Sequence, residues 1–284
     1  MIRAFAPVLR ELLAAGEPAV LVSVIAAKGS TPREAGARMV VTASGIDGTV
    51  GGGRLERDAI ERAGGLLGSD ETSATMDMPL GPELGQCCGG FVSLRLDRVD
   101  EAVCTDLETA EREEREQQPL VLLFGAGHVG KALAAALAPL PLHLRWIDSR
   151  ENEFPKVPIA GPEIVVTEHQ LAEIEAAPAG ASYLVLTHSH SLDFSLCEAV
   201  LQRGDFAYLG LIGSRTKRKR FERGWRKLGV ADEQVARLIC PIGGNRLRDK
   251  RPAVIAALVA SELLHHLADR TADGNGDPES GEAA

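Results

Sequence analysis

Two kinds of apolar patterning divide the chain. From Leu120 onward, short unbroken apolar runs alternate with segments of helical period. The runs at Leu120–Phe124, His143–Ile147, Glu163–Thr167, Tyr183–Thr187, Phe206–Ile212 and Leu238–Pro241 predict strands. A strand covered on both faces needs such a run, so a parallel sheet is expected. Helical spacing predicts Val129–Ala138, His169–Ala176, Leu192–Gln202, Thr216–Lys227 and Ala253–Leu267. This alternation predicts an α/β fold with a Rossmann-like doubly wound parallel sheet domain at 119–268.

Before Leu120 the pattern is mixed. Ile2–Ala15 reads as an amphipathic helix closed by Gly16 and Pro18. Ala19–Ala26, Arg38–Thr42, Ala74–Met78 and Phe91–Leu96 read as strands, Ser44–Gly48 as a turn, and a helix begins near Leu55. A small N-terminal α+β domain at 1–105, with about four strands and two helices, is therefore expected. The charged stretch at 106–118 reads as a solvated linker helix. The acidic tail at 269–284 is expected to be disordered.

Composition narrows the function. Hydrophobic residues at 45% and charged residues at 25% describe a globular protein. A net charge of −9 argues against a general nucleic-acid partner. No apolar run approaches the roughly 18 residues of a membrane helix, and no signal-peptide pattern opens the chain. Five unevenly spaced cysteines do not form a disulfide framework. A cytoplasmic location is the expectation, and a homodimer is the ordinary one for such a protein.

The candidate chemistry centres on Gly125, Gly127 and Gly130, which join the Leu120–Phe124 run to a helical pattern. Glycines there permit a tight turn and close approach of backbone to a phosphate, and the helix start supplies free N–H groups. Asp148, at the end of the next strand, stands where a ribose hydroxyl of NAD(H) or another nucleotide would be held. A P-loop reading of Gly125–Lys131 lacks the hydroxyl residue, because Ala132 follows. A plain turn with no ligand is the third reading. Cys87-Cys88, followed by Gly89-Gly90, suit a soft metal or sulfur transfer, or simply two small buried residues. Ser30, Thr31 and Arg33 form one candidate anion loop, and Gly52 and Gly53 before a helix form another. His188 and His190 follow a strand, as do Ser214 and Arg215, which open a run with eight basic residues through Lys227. Cys104 and Cys197 read as packing.

Several segments together resemble the XdhC/CoxI family, accessory proteins that mature molybdenum hydroxylases. The residues that carry the resemblance are GSTPREAGARMVV (Gly29–Val41), GTVGGGRLE (Gly48–Glu56), GQCCGG (Gly85–Gly90) and LLFGAGHVGKALA (Leu122–Ala134). WIDSR (Trp146–Arg150), THSHSLD (Thr187–Asp193), YLGLIGSRTKR (Tyr208–Arg218) and CPIG (Cys240–Gly243) extend it. Arg54 stands where the carbon monoxide dehydrogenase branch tends to have cysteine, which favours the xanthine dehydrogenase branch. Gly244–Arg251 departs from the family's Leu-rich, Gly-rich pattern. The resemblance implies a chaperone rather than an enzyme. It would bind the molybdenum cofactor (Mo-molybdopterin), protect it while a cysteine desulfurase sulfurates it, and insert it into apo xanthine dehydrogenase. A molybdopterin cytidylyl- or molybdenum-transferase is a further implied partner. Cys87 and Cys88 would then face the molybdenum. Gly125, Gly127, His128, Gly130, Asp148, His188, His190, Ser214 and Arg215 would line the cofactor. The alternatives are an NAD(P)-dependent oxidoreductase with His188 or His190 as acid–base, and a regulatory nucleotide-binding module.

Overall fold

The computed structural model describes residues 4–80, 89–157, 159–244 and 249–274, the last six by their backbone alone. The chain divides into two compact units, Ile2–Glu116 and Gln117–Ala284.

The first unit is a sheet with helices on both faces. Its elements are α1 (Ala6–Ala14), β1 (Ala19–Lys28), β2 (Arg38–Thr42), β3 (Ile46–Gly48), α2 (Gly53–Leu67), β4 (Ser73–Pro79), β5 (Phe91–Arg98) and α3 (Glu101–Glu116). The strand order is β3-β2-β1-β5-β4, and every pairing is antiparallel. Val20, Val22 and Val24 of β1 pack on Leu55, Ala59 and Leu66 of α2. Ala19 and Leu21 face Leu9 of α1 and Cys104 and Leu107 of α3. Burial on both faces explains why β1 is apolar without alternation. A register shift between Val24 and Ala26 turns Ile25 outward, where it is half exposed.

Several expectations for this unit need correction. Ser44–Gly48 is not only a turn, because Ile46–Gly48 pairs with β2 as a fifth strand. The helix at α1 begins at Ala6, not Ile2. The expected linker helix at 106–118 is instead α3, which starts at Glu101 and belongs to the first unit. Its Cys104 and Leu107 are buried, and several of its acids have partners on the same unit. Glu108 pairs with Arg10 at 2.7 Å, Glu114 with Arg38 at 2.5 Å, and Glu111 accepts from the Phe5 N–H at 2.6 Å. Since Phe5 offers no capping side chain, Glu111 supplies the α1 cap from across the unit.

The second unit is an all-parallel six-stranded sheet. It contains β6 (Leu120–Phe124), α4 (His128–Leu137), β7 (His143–Asp148), β8 (Glu163–Val166), α5 (Gln170–Ala176), β9 (Ser182–Val185) and α6 (His190–Arg203). It continues with β10 (Tyr208–Leu211), α7 (Arg215–Lys227), α8 (Asp232–Ala236), β11 (Leu238–Ile239) and α9 (Pro252–Gly274). The order β8-β7-β6-β9-β10-β11 reverses direction between β6 and β9. That reversal is the switch point, beyond whose carboxyl ends ligands bind in open α/β sheets. Ile174, Leu196, Phe221 and Trp225 cover one face, and Leu133, Leu137, Val259 and Leu263 the other. The sequence pattern missed α8, and α9 continues through Gly274 instead of ending at Leu267.

Candidate functional site

At the switch point the glycine turn is fixed from both sides. Gly125 has φ +120°, and a Cβ there would stand 2.8 Å from the Leu186 carbonyl carbon after β9. The Gly125 N–H donates to the Ile147 carbonyl at 2.8 Å, and Trp146 Nε1 donates to the Gly125 carbonyl at 3.0 Å. A Cβ on Gly130 would lie 2.9 Å from the Gly125 carbonyl carbon, so α4 packs directly on the turn. Gly127 differs. It opens α4 without a side-chain cap, and a Cβ there would meet nothing within 4 Å. Unpaired N–H groups at a helix start, with open space before them, suit an anion. His128 is exposed beside them.

Asp148 lies below this turn and is 1% exposed. Its Oδ2 accepts from Ala126 N–H at 2.7 Å and Arg150 Nη2 at 2.8 Å. Its Oδ1 accepts from Arg150 N–H at 2.9 Å and Nε at 3.0 Å. A ribose hydroxyl would have to displace one of these donors. Burial by itself would raise this carboxyl, but the bonds from Arg150 and Ala126 hold it below the usual carboxylate range. A depressed folded value means the stabilisation is present above the unfolded carboxylate pKa and is lost as pH falls through the folded one. Asp148→Asn should therefore flatten the acid limb of the stability curve below about pH 4, where wild type loses this contribution. Coincident acid limbs in acid-denaturation curves would refute it. Lys131, the lysine of the P-loop reading, pairs with Glu153 at 3.1 Å.

The next loops on the rim are tied together by charge. Ser189 caps α6 by accepting from the Leu192 N–H at 3.3 Å, while His188 and His190 remain exposed. Asp193 is 1% exposed and accepts from Thr187 N–H at 2.9 Å and its Oγ1 at 2.8 Å. Lys217 Nζ reaches the same carboxylate at 2.6 Å and also donates to the Ile212 carbonyl at 3.0 Å. The Lys217–Asp193 pair thus joins the loop after β9 to the loop after β10. Ser214 caps α7 by accepting from the Lys217 N–H at 3.2 Å, and Arg215 is exposed at its first position.

In the first unit three glycine-bearing segments meet. A Cβ on Gly90 would stand 2.8 Å from the Lys28 carbonyl oxygen, and one on Gly51 would stand 2.6 Å from Pro32 Cγ. The Gly29–Arg33 loop therefore lies between the Gly51–Gly53 turn and the Gly89-Gly90 pair. Ser30 and Arg33 are exposed and Thr31 is half-buried. Cys87 and Cys88, just before that pair, lie outside the described residues. The Gly52–Gly53 turn already holds an anion of its own. Glu56 Oε2 accepts from Thr49 Oγ1 at 2.5 Å and from the Val50 and Gly52 N–H groups at 3.2 Å each.

Both units match family models. Residues 121–263, half the chain, match the XdhC Rossmann domain, and residues 12–78 match the XdhC and CoxI family. The chain belongs to the XdhC and CoxI family. Among curated relatives it is 30% identical over 252 residues to the uncharacterized protein YqeB of Escherichia coli. That match takes in 87% of this chain and spans only 43% of YqeB. A solved structure from Bacillus halodurans, described as a xanthine dehydrogenase, superposes with a TM-score of 0.69 at 19% identity, covering 97% of this chain and 98% of that one. At that identity the likeness establishes a shared fold.

For this XdhC/CoxI chain, no group of three metal-binding side chains occurs among the described residues. No described helix is long and apolar enough to cross a membrane. The thiols of Cys104, Cys197 and Cys240 are all buried, and burial raises each, Cys240 to about 11. Thiolate chemistry at neutral pH therefore does not fall to these three. Sequence reasoning did not find Glu56, Glu111 or Lys217. Glu56 had a usable signal, an acid in the first turn of a helix behind three glycines. The other two are placed by tertiary pairing.

Proposed function

We propose that this chain is an accessory protein of xanthine dehydrogenase maturation. It takes up the molybdenum cofactor, shields it during sulfuration by a cysteine desulfurase, and passes it to the apo-enzyme. The observation that carries the reading is membership of the XdhC and CoxI family in both units. The open Gly127 turn adds to it, because its N–H groups and the start of α4 form a fitting receptor for a pterin phosphate. Cys87 and Cys88 are the thiols assigned to the molybdenum or its incoming sulfur, and the soft thiolate suits that metal. His128, His188 and His190 offer exposed donors along the rim. In this reading the chain makes or breaks no bond of a substrate.

The test is reconstitution of an apo-hydroxylase co-expressed with this chain. Cys87→Ala/Cys88→Ala should lose most of the sulfurated, active hydroxylase while melting at the wild-type temperature. Full activity with the double variant would remove the cysteines from the mechanism. The whole proposal falls if wild-type chain, isolated with its partners, carries neither molybdenum nor pterin fluorescence and yields no more active hydroxylase than an empty control.

A further inference from the structure

A groove of about 520 Å³ lies between the start of α6 and the middle of α7. Ser191, Phe194 and Ser195 line it from α6, and Arg220 and Phe221 from α7; it reaches the rim only at His190. Its floor is aromatic and fixed from behind. The half-buried Phe194 ring stacks on Trp225 at 5.4 Å and meets Phe221 edge-on at 5.2 Å. Gly224 makes room for it, since a Cβ there would stand 2.7 Å from Phe194 Cε2. A preformed aromatic floor open to solvent suits one bulky apolar side chain.

Beside the floor runs a row of cations. Arg220, Arg223 and Lys227 are exposed and follow one another at i, i+3 and i+7, which puts them on one side of α7. Among the described residues none of them has an acidic partner, and no acid lines the groove. Glu222, the acid of α7, is held by Arg218 at 2.7 Å. This charge works against the helix that carries it. Like charges three and four residues apart repel, and the first turn holds no acid to meet the helix dipole. The row extends about 10 Å along the helix, longer than a single anionic group requires. A net charge of −9 disfavours a long polyanion such as nucleic acid, whereas a short acidic segment meets this face alone.

We infer that the α6–α7 groove docks an acidic segment of a partner protein. One bulky apolar side chain of that segment sits on Phe194 and Phe221, and its flanking carboxylates lie along Arg220, Arg223 and Lys227. The inference goes beyond the cofactor reading and does not depend on it, because charge and shape on this helix pair alone make the recognition.

Anisotropy titration of the full chain at physiological ionic strength tests it, using labelled oligoglutamate peptides with one central phenylalanine, leucine or serine. The phenylalanine and leucine peptides should bind, and the serine peptide should bind roughly tenfold more weakly or worse, as for loss of a buried anchor. Arg220→Glu, Arg223→Glu and Ser191→Trp, the last filling the groove from an exposed position, should each weaken the phenylalanine peptide by roughly tenfold or more. Arg57→Glu, the same charge change on an exposed arginine of α2, should not. All four variants should melt with wild type. The inference is overturned if neither apolar peptide binds, if the serine peptide binds as well as the phenylalanine one, or if Arg57→Glu is as damaging as Arg220→Glu. A DNA duplex bound more tightly than the peptides would assign the face to nucleic acid, and self-association abolished by Ser191→Trp would assign it to a second copy of the chain. Either result overturns it as well.

Discussion

Lys217→Met should lower the melting temperature of the second unit by on the order of 10 °C. The side chain is 11% exposed and ends on the buried carboxylate of Asp193. Replacing the lysine by an apolar chain of similar length leaves that carboxylate buried beside the Thr187 N–H and hydroxyl with its cation gone. Removing one partner of a buried pair costs about 3–5 kcal/mol. Each kcal/mol shifts melting by roughly 2–4 °C in a unit of this size. Asp193→Asn/Lys217→Met should recover part of the loss, since the amide needs no cation and still accepts from Thr187. The effect would extend beyond stability, because this pair joins the loops carrying His188, His190, Ser214 and Arg215. A single variant that melts with wild type in calorimetry would show that the pair holds nothing.

The second large effect separates two glycines of one turn. Gly130→Ala would push a methyl group into the Gly125 carbonyl, which is fixed by the Trp146 indole and cannot retreat. Overpacking against backbone of this kind costs about 3 kcal/mol. Gly127→Ala has free space and an ordinary φ of −70°, so stability should change by no more than about 0.5 kcal/mol. Its methyl group would instead occupy the approach of a phosphate. Urea unfolding of both variants, with anion binding measured on Gly127→Ala, decides the matter. Equal stabilities would mean that the turn has slack.

The parts of the fold legible in the sequence are those whose burial leaves a mark on neighbouring residues. β6 and β9 are covered on both faces, so their apolar runs identify them and the alternation with helices follows. β3 leaves no such mark: Ile46-Asp47-Gly48 is a strand because β2 lies beside it. The acids of α3 look solvated in the sequence, yet Arg10 and Arg38, remote in the chain, give several of them partners. The site divides in the same way. Gly125 and Gly130 are constrained by backbone geometry and close packing, which residue type reveals. Asp148 stands at the position expected of a ribose acceptor, but its bonds to Ala126 and Arg150 are three-dimensional facts. Lys217 sits among eight basic residues through Lys227, and only packing distinguishes it from its exposed neighbours.

Glu56 has a practical corollary for how this molecule meets its solvent. Its carboxylate is a tethered counter-ion for the first unit's glycine turn, supplied at an effective concentration no dissolved salt can match. Phosphate or sulfate in a buffer should then leave the first unit's melting unmoved and find its seat in the second. The two glycine turns, so alike as strings of letters, differ as a plugged socket differs from an open one.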